Sequence, residues 1–215
     1  VAVQQQSTAS VGDAPPRRSQ ADRRAEAERA LLDAAMRLFA ERGVEGTSLA
    51  DIGEAAGYSR GLANHHFGSR AGLVERLARR GVRRFVRALE AGERPTPGPD
   101  AVLAFAEAYL ALFDPPGDDV RAFFVMRGTA LPHDAPLREV FAADDRRVRH
   151  DLVRLVEAGR RAGTVADDVD AEAFATMLIG MLRGVGTQCL LDPDAVDLDR
   201  IRRRTRAFVH AALAP

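Results

Sequence analysis

The sequence predicts an all-α protein with a small N-terminal group of helices and a larger helical body, on three observations. Apolar residues recur at the 3.6-residue helical period in one segment after another. No alternation of period two lasts long enough to build a strand. Glycines and proline-rich joints fall mainly between the periodic segments, where a chain of helices needs to turn.

Taken in order, residues 1–20 are rich in Gln, Ser and Ala, carry Pro15-Pro16 and show no periodicity, so they read as a disordered arm. Arg17, Arg18, Arg23 and Arg24 close that arm, either as solvated charge or as a basic arm reaching phosphates or a minor groove. A first helix over about 23–42 places Leu31, Ala35, Leu38 and Phe39 on one stripe and stops at Gly43. A long helix over about 70–91 repeats Leu73, Leu77, Phe85 and Leu89. The three prolines and glycine of Glu93–Pro99 then mark the clearest joint. Val102, Phe105, Ala106, Tyr109, Leu110 and Phe113 keep the helical period until Pro115-Pro116-Gly117. Further helices are expected over about 118–131, 135–162, 170–190 and 197–213.

Between the first two long helices lies the most informative stretch, Thr47–Arg70. Thr47 or Ser48 can cap a short helix whose apolar face is Leu49, Ile52, Ala55 and Ala56, and Gly57 relieves a sharp turn. Ser59 is placed to cap a second short helix. That helix gathers a guanidinium, an amide, two imidazoles and an aromatic anchor between Arg60 and Phe67. One helix bracing while the next presents its N-terminal half to a major groove is the logic of a helix-turn-helix.

These residues resemble the tetracycline-repressor (TetR) family of bacterial one-component transcription regulators. The likeness starts at Arg29–Gly43 and continues through Thr47-Ser48, Ile52, Ala55-Ala56-Gly57, Ser59, Gly61, His66-Phe67 and Ser69-Arg70, ending near Leu73. It implies a three-helix DNA-binding head over residues 21–70 and a ligand-binding and dimerisation bundle over 71–215. The implied function is a homodimeric repressor released from a palindromic operator by a small-molecule effector, with no cofactor. An activator of the same fold, or a helical protein-binding adaptor with a degenerate head, is the alternative. The chain departs from the family at Asn64, where a Tyr is usual, and at Ala63, where a larger aliphatic is usual. Asn64 can take adenine N6 and N7 bidentately, and Leu62 can meet a thymine methyl. The DNA-binding candidates are Thr47, Ser48, Ser59, Arg60, Gly61, Leu62, Asn64, His65, His66 and Arg70. Of these, Arg60, Asn64, His65 and Leu62 are assigned to bases, and Thr47, Ser59, His66 and Arg70 to phosphates.

The charge distribution fits that division. The net charge is zero, yet residues 17–87 hold 15 Arg against 9 acidic residues, a net +6, while 88–215 hold 16 against 21. A basic head on an acidic body is expected of a nucleic-acid reader fused to a regulatory module. All basic residues are Arg, which points to coding bias. One cysteine, Cys189, excludes an internal disulfide and fits a reducing cytoplasm. With neither a long apolar run nor a signal sequence, a soluble, cytoplasmic chain without a membrane partner is expected.

In the body, Phe105, Tyr109, Phe113, Phe123, Phe124, Met126 and Phe141 cluster within some 40 residues, as ordinary core or as the lining of a pocket. The ligand-binding candidates are Phe105, Tyr109, Phe113, Phe123, Met126, Arg127, Phe141, Asp144, Phe174 and Met177. Asp144 falls about 45° from the centre of the stripe through Phe141 and Val148. A carboxylate there either meets an arginine such as Arg127, faces a cationic ligand, or leans into water. Arg127 and His133 lie where a short helix ends, a position that favours cations. Gly180, Gly184 and Gly186 inside one helix suggest close approach by another backbone. The resemblance implies that the helices over about 170–213 pair with their twins in a dimer.

Other classes find no support in the residues. There is no G-x-S-x-G, no H-E-x-x-H, no phosphate-binding loop and no strand–glycine–helix fingerprint, so no enzyme is expected. His65-His66 is no metal site, because adjacent helical side chains point about 100° apart and no Cys, Asp or Glu lies three or four residues away.

Overall fold

The computed structural model describes residues 19–90 (side chains at 84–86 and 88–90 excepted), 97–132 and 135–215. Arg17 and Arg18, most of the joint at 93–99, His133, and the side chains of Phe85 and Leu89 lie outside the described residues. The described residues form nine α-helices and no strand: α1 Gln20–Arg42, α2 Leu49–Ala55, α3 Leu62–Phe67, α4 Arg70–Glu90, α5 Pro99–Ala111, α6 Asp118–Gly128, α7 Arg138–Arg161, α8 Ala171–Leu191 and α9 Leu198–Leu213. A short 3-10 turn, Pro193–Ala195, separates the last two.

The helices start where short polar side chains can satisfy the orphan N–H groups of a first turn. Ser19 and Asp22 form a capping box on α1, which therefore begins three residues earlier than expected. Ser48 and Asp51 do the same for α2, so Ser48 rather than Thr47 is its cap. Asp170 and Asp197 cap α8 and α9. The stops also follow the sequence: Gly43 ends α1 at φ 75°.

Two cores result. The first joins Leu31, Ala35 and Phe39 of α1, Ile52 of α2, Ala63 of α3 and Leu73 and Leu77 of α4 to Ala122 and Met126 of α6 and Phe141 of α7. It thus draws from both sides of residue 70. The second gathers Val102, Tyr109 and Leu110 of α5, Leu152 and Val156 of α7, Leu178 and Leu182 of α8, and Val209 and Leu213 of α9. By length and hydropathy α8 is apolar enough to cross a membrane, yet its buried stripe packs on α7 and α5 as a core helix does.

Glycines permit several of these contacts. Gly81 on α4 leaves room for the Phe123 ring of α6, whose Cδ2 would lie 3.0 Å from a β-carbon there. Gly159 of α7 lies against the backbone of Gly98, just before α5. Gly186 receives a side chain, the ring of Phe113, and not the neighbouring backbone expected from the sequence. Gly180 and Gly184 meet nothing within 4 Å in this chain.

Gly186→Ala should therefore lower stability by about 1–2 kcal/mol, overpacking outweighing the gain in helix propensity. Gly128→Ala, at the exposed end of α6 with nothing within 4 Å, should leave stability unchanged or raise it by up to about 1 kcal/mol. Thermal unfolding of the two variants beside wild type checks both expectations.

Candidate DNA-reading surface and effector site

The two short helices are held as a rigid corner. Ile52 is buried, and Gly57 takes φ 78° at the turn, a left-handed conformation that a side chain disfavours. Gly53 lets the turn pass close, because a β-carbon there would lie 2.6 Å from the Ser59 carbonyl oxygen. Arg37 of α1 donates to the Ala55 carbonyl at 3.4 Å, tying down the end of α2. Ala55 itself is exposed and does not join the apolar face expected of it. The α3 N-cap is Gly61, without a side-chain bond, and not Ser59, whose carbonyl instead accepts from the Leu62 N–H at 3.0 Å.

On this corner Ser59, Arg60, Gly61, Asn64 and His65 are exposed, while Leu62, His66 and Phe67 are half-buried. Ala63 is fully buried, which explains a small residue at that position. Leu62 packs against the first core, so its methyl groups are partly spent on the fold. Two residues assigned to phosphates have other work. Thr47 is 2% exposed and its hydroxyl donates to the Gly43 carbonyl at 2.9 Å. Arg70 donates to the Val44 carbonyl and pairs with Glu45 at 3.2 Å, joining the start of α4 to the α1–α2 loop. Ser48 is exposed but carries its capping box, whose hydrogen bonds hold the Asp51 carboxyl below its usual range.

The sequence reading missed Glu54, which takes Arg60 Nε at 2.6 Å on the open surface. Its signal was the six-residue spacing across the turn, which only the folded corner brings together. Both side chains are more than half exposed, so the pair contributes little to stability. It does hold the guanidinium beside α3.

In the body, the expected aromatic cluster divides between the two cores. Phe123, Met126 and Phe141 belong with the first core, whereas Phe105, Tyr109, Phe113 and Phe174 belong with the second. Phe124 links them, with ring centroids 6.1 Å from Phe123 and 5.6 Å from Phe113. Phe174 stacks on Phe208 of α9 instead. Met177 is 62% exposed and lines no interior space within this chain.

Where the cores meet, α6, α7 and α8 share a polar junction. Asp145 accepts from Arg127 at 2.6 Å and from Arg183 at 2.5 Å, one guanidinium on each oxygen. Arg127 also lies 5.6 Å over the Phe141 ring. Burial pushes the Asp145 carboxyl up, but the two guanidiniums outweigh it and hold the group below its usual range. Asp144 neither pairs with Arg127 nor leans into water. Its side chain is 2% exposed, its nearest cation is Arg147 at 3.9 Å, and burial pushes its carboxyl up. Tyr109 is buried close by, its hydroxyl pushed up by that burial against the opposing pull of Arg183 and Arg127. The unread signal for this junction was Arg183, the one charged residue between Glu172 and Asp192.

A group with a lowered carboxyl range stabilises the fold above its unfolded titration and loses that contribution in acid. Asp145→Asn should therefore cost about 2–3 kcal/mol at neutral pH by stranding two guanidiniums. The difference from wild type should close as the pH falls through the lowered range of Asp145. Urea unfolding at stepped pH measures it.

The family model described as bacterial regulatory proteins, tetR family, matches residues 31–77. The one described as the C-terminal part of BetI-type transcriptional repressors matches residues 98–214. The HTH-type transcriptional regulator CymR of Pseudomonas putida is 26% identical over 89% of this chain and 93% of its own length. A transcriptional regulator from Saccharomonospora viridis in complex with choline superposes with a TM-score of 0.76 at 22% identity, over 89% of this chain and 99% of that one. The SmeT–triclosan complex gives 0.68 at 26% identity, over 89% and 92%. The chain belongs to the TetR family of helix-turn-helix, DNA-binding transcriptional regulators.

Proposed function

We propose that the chain is a homodimeric repressor, released from a palindromic operator in the cytoplasm by a small molecule bound in its helical body. The observation that carries the reading is the exposed polar edge from Ser59 to His65 on a corner braced by Ile52, Gly53 and Ala63. Arg60, Asn64 and His65 read bases, and Ser59 and His66 reach phosphates. Thr47 and Arg70 are reassigned to bracing the head.

Dimerisation is supported by the outward face of α8, where Ala173, Met177, Gly180, Gly184 and Leu191 are all exposed. An exposed stripe of small and apolar residues suits a second helix packed closely against it. Two-fold pairing there sets the recognition helices about one DNA turn, roughly 34 Å, apart. Effector binding is supported by the choline and triclosan held by the two structural relatives, and by the buried polar junction of α6, α7 and α8. The effector must favour one spacing of the heads over the other, or it regulates nothing.

Fluorescence anisotropy on DNA from the chain's own promoter tests this reading. Wild type should bind tightly and weaken steeply between low and moderate salt, since several guanidinium–phosphate contacts release counterions. Arg60→Ala/Asn64→Ala should lose at least about tenfold in affinity, and Gly180→Arg should sediment as a monomer. Wild type and double mutant binding alike, no better than to random DNA, would turn the search to protein partners.

A further inference from the structure

The junction of α6, α7 and α8 carries more positive charge than its carboxyl groups balance. Arg127 and Arg183 share the single carboxylate of Asp145. Arg147 approaches Asp144 only to 3.9 Å. Three guanidiniums therefore face two carboxyl groups, and the cluster is positive whether or not Asp144 is ionised. Two buried polar atoms here also have no hydrogen-bond partner: Arg127 Nη1 and Asp144 Oδ1. Leaving such atoms unsatisfied is costly, the more so where charge is involved. An orphaned donor and an orphaned carboxyl oxygen on adjacent helices are what a polar ligand head would satisfy.

Resting on the reading of this body as an effector site, we propose that the effector is a monovalent organic anion whose oxyanion sits between Arg127 Nη1 and Asp144 Oδ1. An anion neutralises the excess charge and accepts from Arg127. Asp144 completes the cradle as a neutral acid, donating its Oδ1 proton to the ligand's second oxygen. Burial favours that neutral form, with Asp145 adding to it and Arg183, Arg147 and Arg127 opposing. A cation at the same place would satisfy Asp144 but face three guanidiniums. The apolar part of the ligand is an aromatic or similarly flat body, matched by Tyr109, Phe113 and Phe124, whose rings follow one another at 5.7 and 5.6 Å.

The position also supplies a route for regulation. An oxyanion on Arg127 competes with Asp145 for the same guanidinium. Arg127 lies over Phe141, and Phe141 packs on Phe123 at 5.4 Å. Phe123 fills the notch at Gly81 of α4, the helix that follows the recognition helix.

Calorimetric titration of the full chain with three naphthalene probes substituted at one ring position tests the inference: the carboxylate, the carboxamide and the methylammonium. The carboxylate should bind at least about tenfold tighter than the amide, because charge-assisted bonds are the stronger, and the ammonium should not bind. Asp144→Asn keeps a neutral donor and should hold carboxylate affinity within about threefold, while Arg127→Gln should abolish the preference over the amide. Tightest binding by the ammonium, lost in Asp144→Asn, would overturn the inference, as would equal binding of acid and amide or no binding by any probe. Adding promoter DNA separates the two readings. Carboxylate binding that leaves DNA affinity unchanged sinks the effector role but keeps the anion site. Release of DNA by an uncharged or cationic ligand does the reverse.

Discussion

The structure depends on the burial of one face of α6 between the DNA-reading head and the body. Ala122 and Met126 are fully buried against α1 and α4, and Phe141 of α7 closes the same core. The burial of Met126 and of Phe141 contributes about 1.5–3 kcal/mol each. Without them, Leu31, Phe39, Leu73 and Leu77 would lose one wall of their core. The head is therefore not an independent module hung on a helix. Its corner, and the orientation of α3, is set by where α6 lies.

That dependence gives the polar junction its leverage. Arg127 belongs to both systems: its guanidinium is held by Asp145 and stacked over Phe141, while the preceding residue, Met126, is buried in the head's core. A change in what Arg127 pairs with is a change in the forces on α6. The second core, built from α5, α7, α8 and α9, anchors the other side of the junction through Arg183. Two packed cores joined by this charged clasp and by the Phe124 ring favour discrete arrangements over continuous bending, because close-packed interiors deform in steps.

Most of the architecture was legible in the sequence because helices announce themselves locally. The 3.6-residue period, the Gly43 and Pro115-Pro116-Gly117 stops and the Ser48 cap depend on neighbours a few positions apart. The exposed edge Arg60, Asn64 and His65 followed from the same local pattern. What stayed hidden depends on contacts across the fold. Glu54 meets Arg60 only because Gly53 and Gly57 bend the corner. Asp145, and not the adjacent Asp144, meets Arg127, since one helical step turns a side chain by about 100°. A run of aromatics close in sequence looked like one cluster, yet α5 and α6 deliver them to different cores. Thr47 and Arg70 carry polar groups suited to phosphate, but the loop around Val44 needs those groups first.

Amide hydrogen exchange on Met126→Ala beside wild type tests the shared core most directly. Truncating a fully buried Met costs about 2–5 kcal/mol. If α6 sets the head, protection must fall together in α1, around Leu31–Phe39, and in α4, around Leu73–Leu77, as well as in α6 itself. Loss of protection confined to α6 and α7, with α1 and α4 unchanged, would mean that the head folds on its own and that the account is wrong.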